Sequence, residues 1–156
     1  SNILIADNDI FSFTDGVNDK PFTIEFDFTC TDIDNLNQIL VEKIDTITGE
    51  WLCFITTSNQ LKFQLKDQTE GGNINFTTNE SIIENQEYNV KITYDTVNVK
   101  IYNNNILMPT TLASVGIYIA MRNTTSPIYI GRRVSGGTFP YKGTMKNLRF
   151  YNYEKL

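Results

Sequence analysis

Two carboxylates stand two positions apart in the segment 22–28, which reads FTIEFDF. Alternate residues of a strand face the same side of a sheet, so Glu25 and Asp27 are expected to share its polar face. Retaining hydrolysis of a glycosidic bond needs two carboxyl groups about 5 Å apart in different protonation states. The next residue on that face is Thr29, which is not an acid. We interpret Glu25 and Asp27 as a solvated strand face and predict no catalytic residue.

Oxygen ligands cluster in the segment 15–19, around a glycine. Asp15, Asn18 and Asp19 supply carboxylate and amide oxygens on a sharply bent chain, and Ca²⁺ collects six or more such oxygens. The same pattern is typical of an Asx turn, in which the side chain binds its own backbone. A structural calcium site and a plain turn are therefore both open.

One segment combines the side chains that sugar binding uses. The apolar side of a pyranose packs on aromatic rings, and its hydroxyls bond to polar or charged groups. The glycine-containing segment 132–141 carries both kinds of side chain. We predict that Arg132, Arg133, Thr138, Phe139 and Tyr141 bind carbohydrate. The alternative is that the two aromatic residues close the edge of the fold while the arginines stay solvated.

Histidine is absent from the 156 residues. Its absence removes the commonest general base, the commonest zinc ligand and every catalytic triad that relies on imidazole. Cys30 and Cys53 both fall in strand-like runs, where a thiol usually behaves as a small buried apolar group. A disulfide between them is the alternative. No phosphate loop, EF-hand or zinc-cluster pattern is present.

Acidic residues outnumber basic ones, with 18 Asp and Glu against 13 Lys and Arg and a formal charge of -5. This charge opposes a polyanionic partner, so we predict no nucleic-acid binding. We also expect no membrane insertion, because the sequence has no run of roughly 18 apolar residues. The first residues lack the pattern of a signal peptide and the chain has no starting Met, so we interpret it as an excised domain.

Alternation with a period of two recurs along the chain, and no window shows the spacing of a long helix. The clearest runs are 61–66, 88–94 and 97–101, and asparagines at 103–105 predict a hairpin turn. Further strands are predicted at 39–44, 51–56, 74–77, 115–121, 128–130 and 145–151. This pattern predicts an all-β fold, a two-sheet antiparallel β-sandwich forming a single domain over 1–156, with Trp51 in its core.

Five segments, taken in order, resemble a laminin-G-like domain of the concanavalin-A-like lectin/glucanase superfamily. FTDGVNDKPFTI at 13–24 is similar to the family's opening loop and strand. YNVKITYD at 88–95 and VKIYNNN at 99–105 are similar to a central strand and hairpin. IYIGR at 128–132 and YKGTMKNLRFYN at 141–152 are similar to the closing elements. The resemblance covers nearly the whole chain and implies a concanavalin-A-like jelly roll with recognition loops at one rim.

The resemblance implies sugar or protein binding far more often than catalysis. Laminarinase-like members of the superfamily carry a further acid on the same strand, where this chain has Thr29. Some relatives hold a structural calcium near the opening loop, whereas Lys146 and Asn147 stand here where many relatives carry Asp and Glu. The opening segment is most similar to modules of phage tail and other virion surface proteins.

From these observations we expect a non-catalytic carbohydrate-recognition or adhesion module of a larger surface or virion protein, of the phage tail or fibre kind. Its expected partners are a glycan or cell-surface polysaccharide and neighbouring domains or subunits, in an extracellular or virion-surface location. The alternative is a structural protein–protein or oligomerisation domain without a sugar site. A glycoside hydrolase is the third hypothesis, and it requires carboxylates that face each other across a cleft.

Overall fold

The chain forms two packed antiparallel sheets in a computed structural model that describes residues 3–44, 48–69, 71–132 and 139–155. The strands are β1 (Ile3–Ile5), β2 (Phe22–Cys30), β3 (Gln38–Ile44), β4 (Gly49–Ile55), β5 (Gln60–Lys66), β6 (Asn73–Ser81), β7 (Glu87–Tyr94), β8 (Val99–Asn103), β9 (Ile106–Met108), β10 (Thr110–Val115), β11 (Ile128–Ile130) and β12 (Gly143–Tyr151). A short 3-10 turn, Asp9–Phe11, lies between β1 and β2. The predicted all-β sandwich is confirmed.

One sheet has seven strands in the order β1-β11-β3-β4-β5-β6-β10, and the other has five in the order β12-β2-β7-β8-β9. Strands β1 and β10 are the edges of the first sheet, and β12 and β9 are the edges of the second. The connection from β9 to β10 passes directly from one sheet to the other, so these two edge strands lie on the same side of the sandwich. No helix in the described ranges has the length and hydrophobicity of a membrane span.

Aromatic side chains from both sheets form the core. Trp51 is fully buried, as the sequence predicted, and its ring lies 6.0 Å from Phe13 and 6.4 Å from Phe63 between centroids. Cys30 and Cys53 are free thiols in this core. Burial raises the pKa of both thiols, so they act as small apolar groups.

The asparagine hairpin and one strand boundary test the local predictions. Asn104 and Asn105 have φ values of 51° and 62° and form the predicted turn between β8 and β9. The predicted strand over 115–121 is wrong, because β10 ends at Val115 and the chain turns at Gly116, with φ 65°. The Asp67 carboxylate then accepts backbone N–H groups of the following segment instead of leaving them to a ladder.

Candidate functional site

A groove of about 120 Å³ lies on the outer face of the seven-stranded sheet. It joins two aromatic rings, two amide side chains and an apolar floor. The lining residues are Asn37, Ile39, Leu52, Phe54, Gln64 and Phe139. We call it the Phe54–Phe139 groove. The aromatic rings can pack against C–H groups of a ligand, and the amides can bond to its hydroxyls.

Strand β4 places Phe54 in the groove by simple alternation. Trp51, Cys53 and Ile55 point into the core, so Leu52 and Phe54 point outward. Two large apolar side chains on the outer face distinguish this region from an ordinary solvated strand face. Phe54 is half-buried, and the ammonium of Lys62 on β5 lies 5.5 Å from its ring centroid.

The other ring reaches the groove from the loop before β12. The Phe139 carbonyl accepts the N–H of Ile39 at 3.2 Å, at the point where the β3–β4 register shifts between Ile39 and Val41. Phe139 has a φ of 68°, and its half-buried side chain packs on the cluster of Ile39, Ile44 and Leu52. The irregularity in β3 thus anchors the loop that supplies this ring.

The two predicted aromatic residues therefore have different positions. The Tyr141 hydroxyl lies 2.6 Å from the Thr29 carbonyl, and its ring contacts Phe28, so Tyr141 fills the edge of the sandwich. Burial raises the pKa of Tyr141. Arg132 is exposed, while Arg133 and Thr138 lie outside the described residues. Of the predicted set, the structure brings Phe139 into the groove, and carbohydrate binding by all five residues stays a prediction.

Asn37, Phe54 and Gln64 were not among the predicted binding residues. They lie on or beside strands, and the prediction was directed to a loop. A signal for Phe54 exists in the sequence WLCFI at 51–55, which is apolar at every position. Such a run indicates that both sides of the strand meet apolar groups.

Asp15, the first predicted calcium ligand, closes its own loop. Its Oδ1 accepts the backbone N–H groups of Val17 at 2.8 Å and Asn18 at 2.7 Å. These backbone bonds lower the pKa of Asp15. A side-chain oxygen that accepts these backbone N–H groups forms an Asx turn, which is the alternative to a calcium site.

Asp19, the third predicted ligand, is bonded to groups outside the loop. Its Oδ2 accepts the hydroxyls of Tyr94 at 2.8 Å and Tyr118 at 2.6 Å, and its Oδ1 accepts the N–H of Met121 at 2.6 Å. Burial is the largest cause that raises the pKa of both tyrosines, and the Asp19 charge adds to it.

Asp15 and Asp19 thus bond to different partners, the first within its own loop and the second to Tyr94, Tyr118 and the Met121 N–H. The described residues contain no group of three or more Asp, Glu, His or Cys side chains placed to hold a metal ion. The donor set as arranged does not fit calcium, since Ca²⁺ would have to displace the protein donors from Asp19. Calcium binding stays a prediction, and no function is derived from it.

Glu25 and Asp27 share the outer face of the five-stranded sheet, as their spacing predicts. The Asp27 carboxylate accepts amide N–H groups from Asn89 on β7 at 2.5 Å and from Asn147 on β12 at 2.6 Å. Asn147, with φ 58°, lies in the irregular stretch between Lys146 and Arg149. The amide bonds from Asn147 and Asn89 lower the pKa of Asp27, so this carboxyl stays ionised and is unsuited to donate a proton.

Glu25 is also bonded within the protein. Its carboxylate accepts the Tyr151 hydroxyl at 3.1 Å and pairs with the Lys155 ammonium at 2.8 Å. The surrounding cleft of about 270 Å³ is lined, besides these two acids, by Phe26, Asn89, Asn105, Asn147, Arg149 and Lys155. Within this lining no carboxylate faces Glu25 or Asp27 from another strand. The arrangement is therefore that of a paired polar face and not that of a retaining glycosidase.

Glu50 is a buried acid that belongs to an ion pair. Its Oε1 lies 2.7 Å from the Lys43 ammonium and accepts the N–H of Thr124 at 2.8 Å. Burial raises the pKa of Glu50, while the Lys43 charge opposes that shift. Because both side chains are fully buried, the pair is not open to a ligand.

Solved structures from several kinds of protein share this fold. A candidate carbohydrate-binding protein from Bacteroides ovatus is 18% identical with a TM-score of 0.71, and the match covers 100% of this chain and 42% of that one. CBM40 of the Ruminococcus gnavus IT-sialidase, bound to α2,3-sialyllactose, is 16% identical with a TM-score of 0.65, covering 88% and 78%. Mouse laminin α1 domains LG4-5 are 14% identical with a TM-score of 0.63, covering 85% and 36%.

At these identities the structural matches show the fold alone. No protein with a curated description matches the sequence. The sequence does match the laminin G profile of the concanavalin A-like lectin/glucanases superfamily over residues 6–155. This match covers nearly the whole chain and agrees with the sandwich described above. The chain therefore belongs to the laminin G family of the concanavalin A-like lectin/glucanases superfamily.

Proposed function

We propose that this chain is a non-catalytic carbohydrate-binding module whose sugar site is the Phe54–Phe139 groove. The observation that carries the proposal is the pair of half-buried aromatic rings beside the amides of Asn37 and Gln64 in one open groove. Aromatic rings bind the C–H faces of a pyranose, and amides offer both a donor and an acceptor to its hydroxyls. The sialyllactose complex of the R. gnavus module and the B. ovatus protein add support by analogy of fold.

The absence of catalysis in the proposal rests on the acids of the opposite face. Asp27 is held in its ionised form by two amides, and Glu25 is paired with Lys155. Glycoside hydrolysis needs one carboxyl group that keeps its proton near neutral pH and a second one placed across the sugar. Asp27 does not fill the first role, and both acids stand on one strand.

A glycan array probed with the purified chain tests the proposal. We expect the chain to retain a defined set of glycans, and Phe54→Ala to lower their affinity about tenfold because a stacking ring is lost. Phe54→Trp should keep binding, since it preserves an aromatic face. Parallel arrays with calcium and with EDTA report whether the metal contributes.

Tyr102→Ala is the matched control. Tyr102 is a half-buried ring on the outer face of the opposite sheet, and the Lys91 ammonium lies 4.7 Å from its centroid, as Lys62 lies over Phe54. We expect this control to bind as the unchanged chain does. The proposal fails if no glycan is retained, or if Phe54→Ala binds as well as the parent while its thermal melt is normal.

The wider setting is part of the proposal. We propose an adhesion module of a larger surface or virion protein, phage-tail-like in context, that meets glycans outside the cell. In support, the chain spans 42% of the B. ovatus protein and 36% of the laminin chain that it matches, so the same fold occurs within longer proteins. Immunogold labelling of the native particle or cell surface tests this placement, and label confined to the cytoplasm contradicts it.

A second candidate function is assembly with another copy of the chain at the open edge formed by β9 and β10. Large apolar side chains are exposed there, including Ile106 at 72% and Leu112 at 62%. Strand β10 contains no charged residue or proline that would block pairing of a further strand. Light scattering should show a dimer that Leu112→Lys dissociates and the control Val97→Lys, exposed at 73% away from this edge, does not. A monomer at all concentrations contradicts this candidate.

A further inference from the structure

We infer that the glycan is a linear oligosaccharide without basic groups that runs from the Phe54–Phe139 groove across β5 and β6 to the edge strand β10. This inference rests on the proposed function and names the class of its ligand. It is carried by the side chains that the sheet register places next to the groove.

The three strands that follow β4 in the sheet are β5, β6 and β10, and each presents three outward positions in register. Lys62, Thr77 and Thr111 form the first row, Gln64, Asn75 and Ala113 the second, and Lys66, Asn73 and Val115 the third. The intervening residues of β5, such as Phe63 and Leu65, point into the core. We call the nine outward positions the polar grid. The first row begins at Phe54 on β4, which is paired with Lys62, and the second begins at Leu52, which is paired with Gln64.

The polar grid contains no carboxylate, although the chain has 18 acidic residues. Six of its positions are amides, hydroxyls or small apolar residues, in addition to two lysines and Val115. The outer face of the other sheet differs, since it carries Glu25 and Asp27 among its amides and lysines. A hydroxyl-rich ligand without basic groups therefore complements the polar grid, and a basic ligand does not.

Hydrogen bonds already orient the amides of the grid. The Gln64 amide N–H donates to Asn75 Oδ1 at 2.8 Å, and the Asn75 amide donates to Asn73 Oδ1 at 2.9 Å and to the Ala113 carbonyl at 3.2 Å. Within the described residues these bonds leave Gln64 Oε1 and Asn73 Nδ2 without a protein partner. An acceptor and a donor thus stand at two neighbouring strands with their side chains already ordered, which lowers the entropy cost of binding hydroxyls.

The width of the grid sets the length of the ligand. Neighbouring strands lie about 4.8 Å apart, so the path from β4 to β10 is roughly 14 Å, or about three pyranose units. The path is open at its far end, because β10 is an edge strand and Ala113 is exposed. The first unit would pack on the aromatic rings, and the following units would lie over amides and hydroxyls.

The test uses cello-, manno-, xylo- and laminari-oligosaccharides from one to six units, measured by titration calorimetry. For the series that binds, we expect affinity to rise roughly tenfold up to about three units and then to level off. Ala113→Glu should abolish the rise and leave the shortest ligand that binds unaffected, because only the far end of the path is filled. Ser114→Glu is the matched control, since Ser114 is exposed on the same strand but points to the other side.

The outcomes separate this inference from the function beneath it. Binding that depends on Phe54 but does not vary with length, or a length dependence that Ala113→Glu leaves intact, overturns the inference alone. Binding that is restricted to glycans with basic groups also overturns it, because the polar grid carries two lysines and no carboxylate to pair with such groups. If no glycan binds in any assay, the proposed function and the inference both fail.

Discussion

The carboxylate of Asp27 is held by two amide side chains, one from each neighbouring strand. Asp27 is 8% exposed, and the N–H groups of Asn147 and Asn89 stabilise its charged form. Hydrogen bonds to an ionised acceptor are stronger than those between neutral groups. Asp27 therefore links β2 to β12 and β7 on the outer face of the five-stranded sheet, and its role is structural.

We predict that Asp27→Asn lowers the free energy of unfolding by about 1–3 kcal/mol at neutral pH, because two amide donors then face a third amide. The folded pKa of Asp27 lies below its usual value of 3.8, so its contribution is present above that pH and is lost as the pH falls below it. Urea unfolding at a series of pH values should show the difference between parent and variant shrinking in acid.

The control for this experiment is Glu87→Gln on the same sheet. Glu87 is exposed and pairs with Lys146 at the surface, so its loss should change stability by less than about 0.5 kcal/mol. A difference between parent and Asp27→Asn that is as small as that of Glu87→Gln at neutral pH would contradict the structural role of Asp27.

The sequence predicted the roles of some individual residues and missed those of others. The spacing of Glu25 and Asp27 was sufficient to place both on one face, but it could not show that Asn147 approaches from a strand 120 residues later. Phe139 was singled out by its type and loop position. Phe54 was missed because Trp51, Cys53 and Ile55 already account for an apolar strand with one buried face. The sequence alone does not show that the other face of this strand, which carries Phe54, lines a groove.

Strand β10 and the turn that follows it depend on two glycines. A Cβ at Gly116 would lie 2.1 Å from the Gly71 carbonyl oxygen, and a Cβ at Gly72 would lie 2.1 Å from the Ile117 carbonyl oxygen. The chain just before β6 and the turn just after β10 thus lie in close contact. This contact fixes the outer corner of the polar grid, at Asn73 and Val115.

We predict that Gly116→Ala lowers the free energy of unfolding by about 1–3 kcal/mol, since an L-residue at φ 65° is strained and the new methyl group meets the backbone. Gly71→Ala is the control, because a Cβ at that position meets nothing within 4 Å. Chemical denaturation of both variants provides the comparison. Equal stability of the Gly116→Ala and Gly71→Ala variants would show that this close contact does not constrain the fold.

Most strands could be predicted from alternation, whereas the same alternation wrongly predicted a strand at 115–121. The residues of that segment alternate as Val115, Ile117 and Ile119, but all three are exposed, at 56%, 78% and 62%. The chain turns at Gly116, and the N–H groups of Ile119 and Ala120 then donate to Asp67, which lies 52 and 53 residues earlier in the chain, respectively. A local alternation pattern cannot show such long-range contacts. Strand β1 was missed because three residues are too few for a period to be read.

The two outer faces of the sandwich have different chemistry. The five-stranded sheet carries carboxylates that are bonded to amides, a tyrosine and a lysine, and these groups satisfy one another. The seven-stranded sheet carries aromatic rings, amides and hydroxyls with no carboxylate on the polar grid. The family resemblance predicted the fold of the whole molecule, but it could not specify which face binds a ligand, because loops and faces vary while the fold is kept.

The most direct test of this account is the location of a bound glycan by amide chemical-shift mapping. The ¹⁵N-labelled chain is titrated with a glycan retained on the array, and its backbone shifts are assigned. The account predicts that the largest changes fall on the seven-stranded sheet, at Asn37, Phe54, Gln64, Asn75 and Phe139. Changes that cluster instead around Asp27, Asn89 and Asn147 on the opposite sheet, or at Asp15 and Asp19 alone, would contradict it.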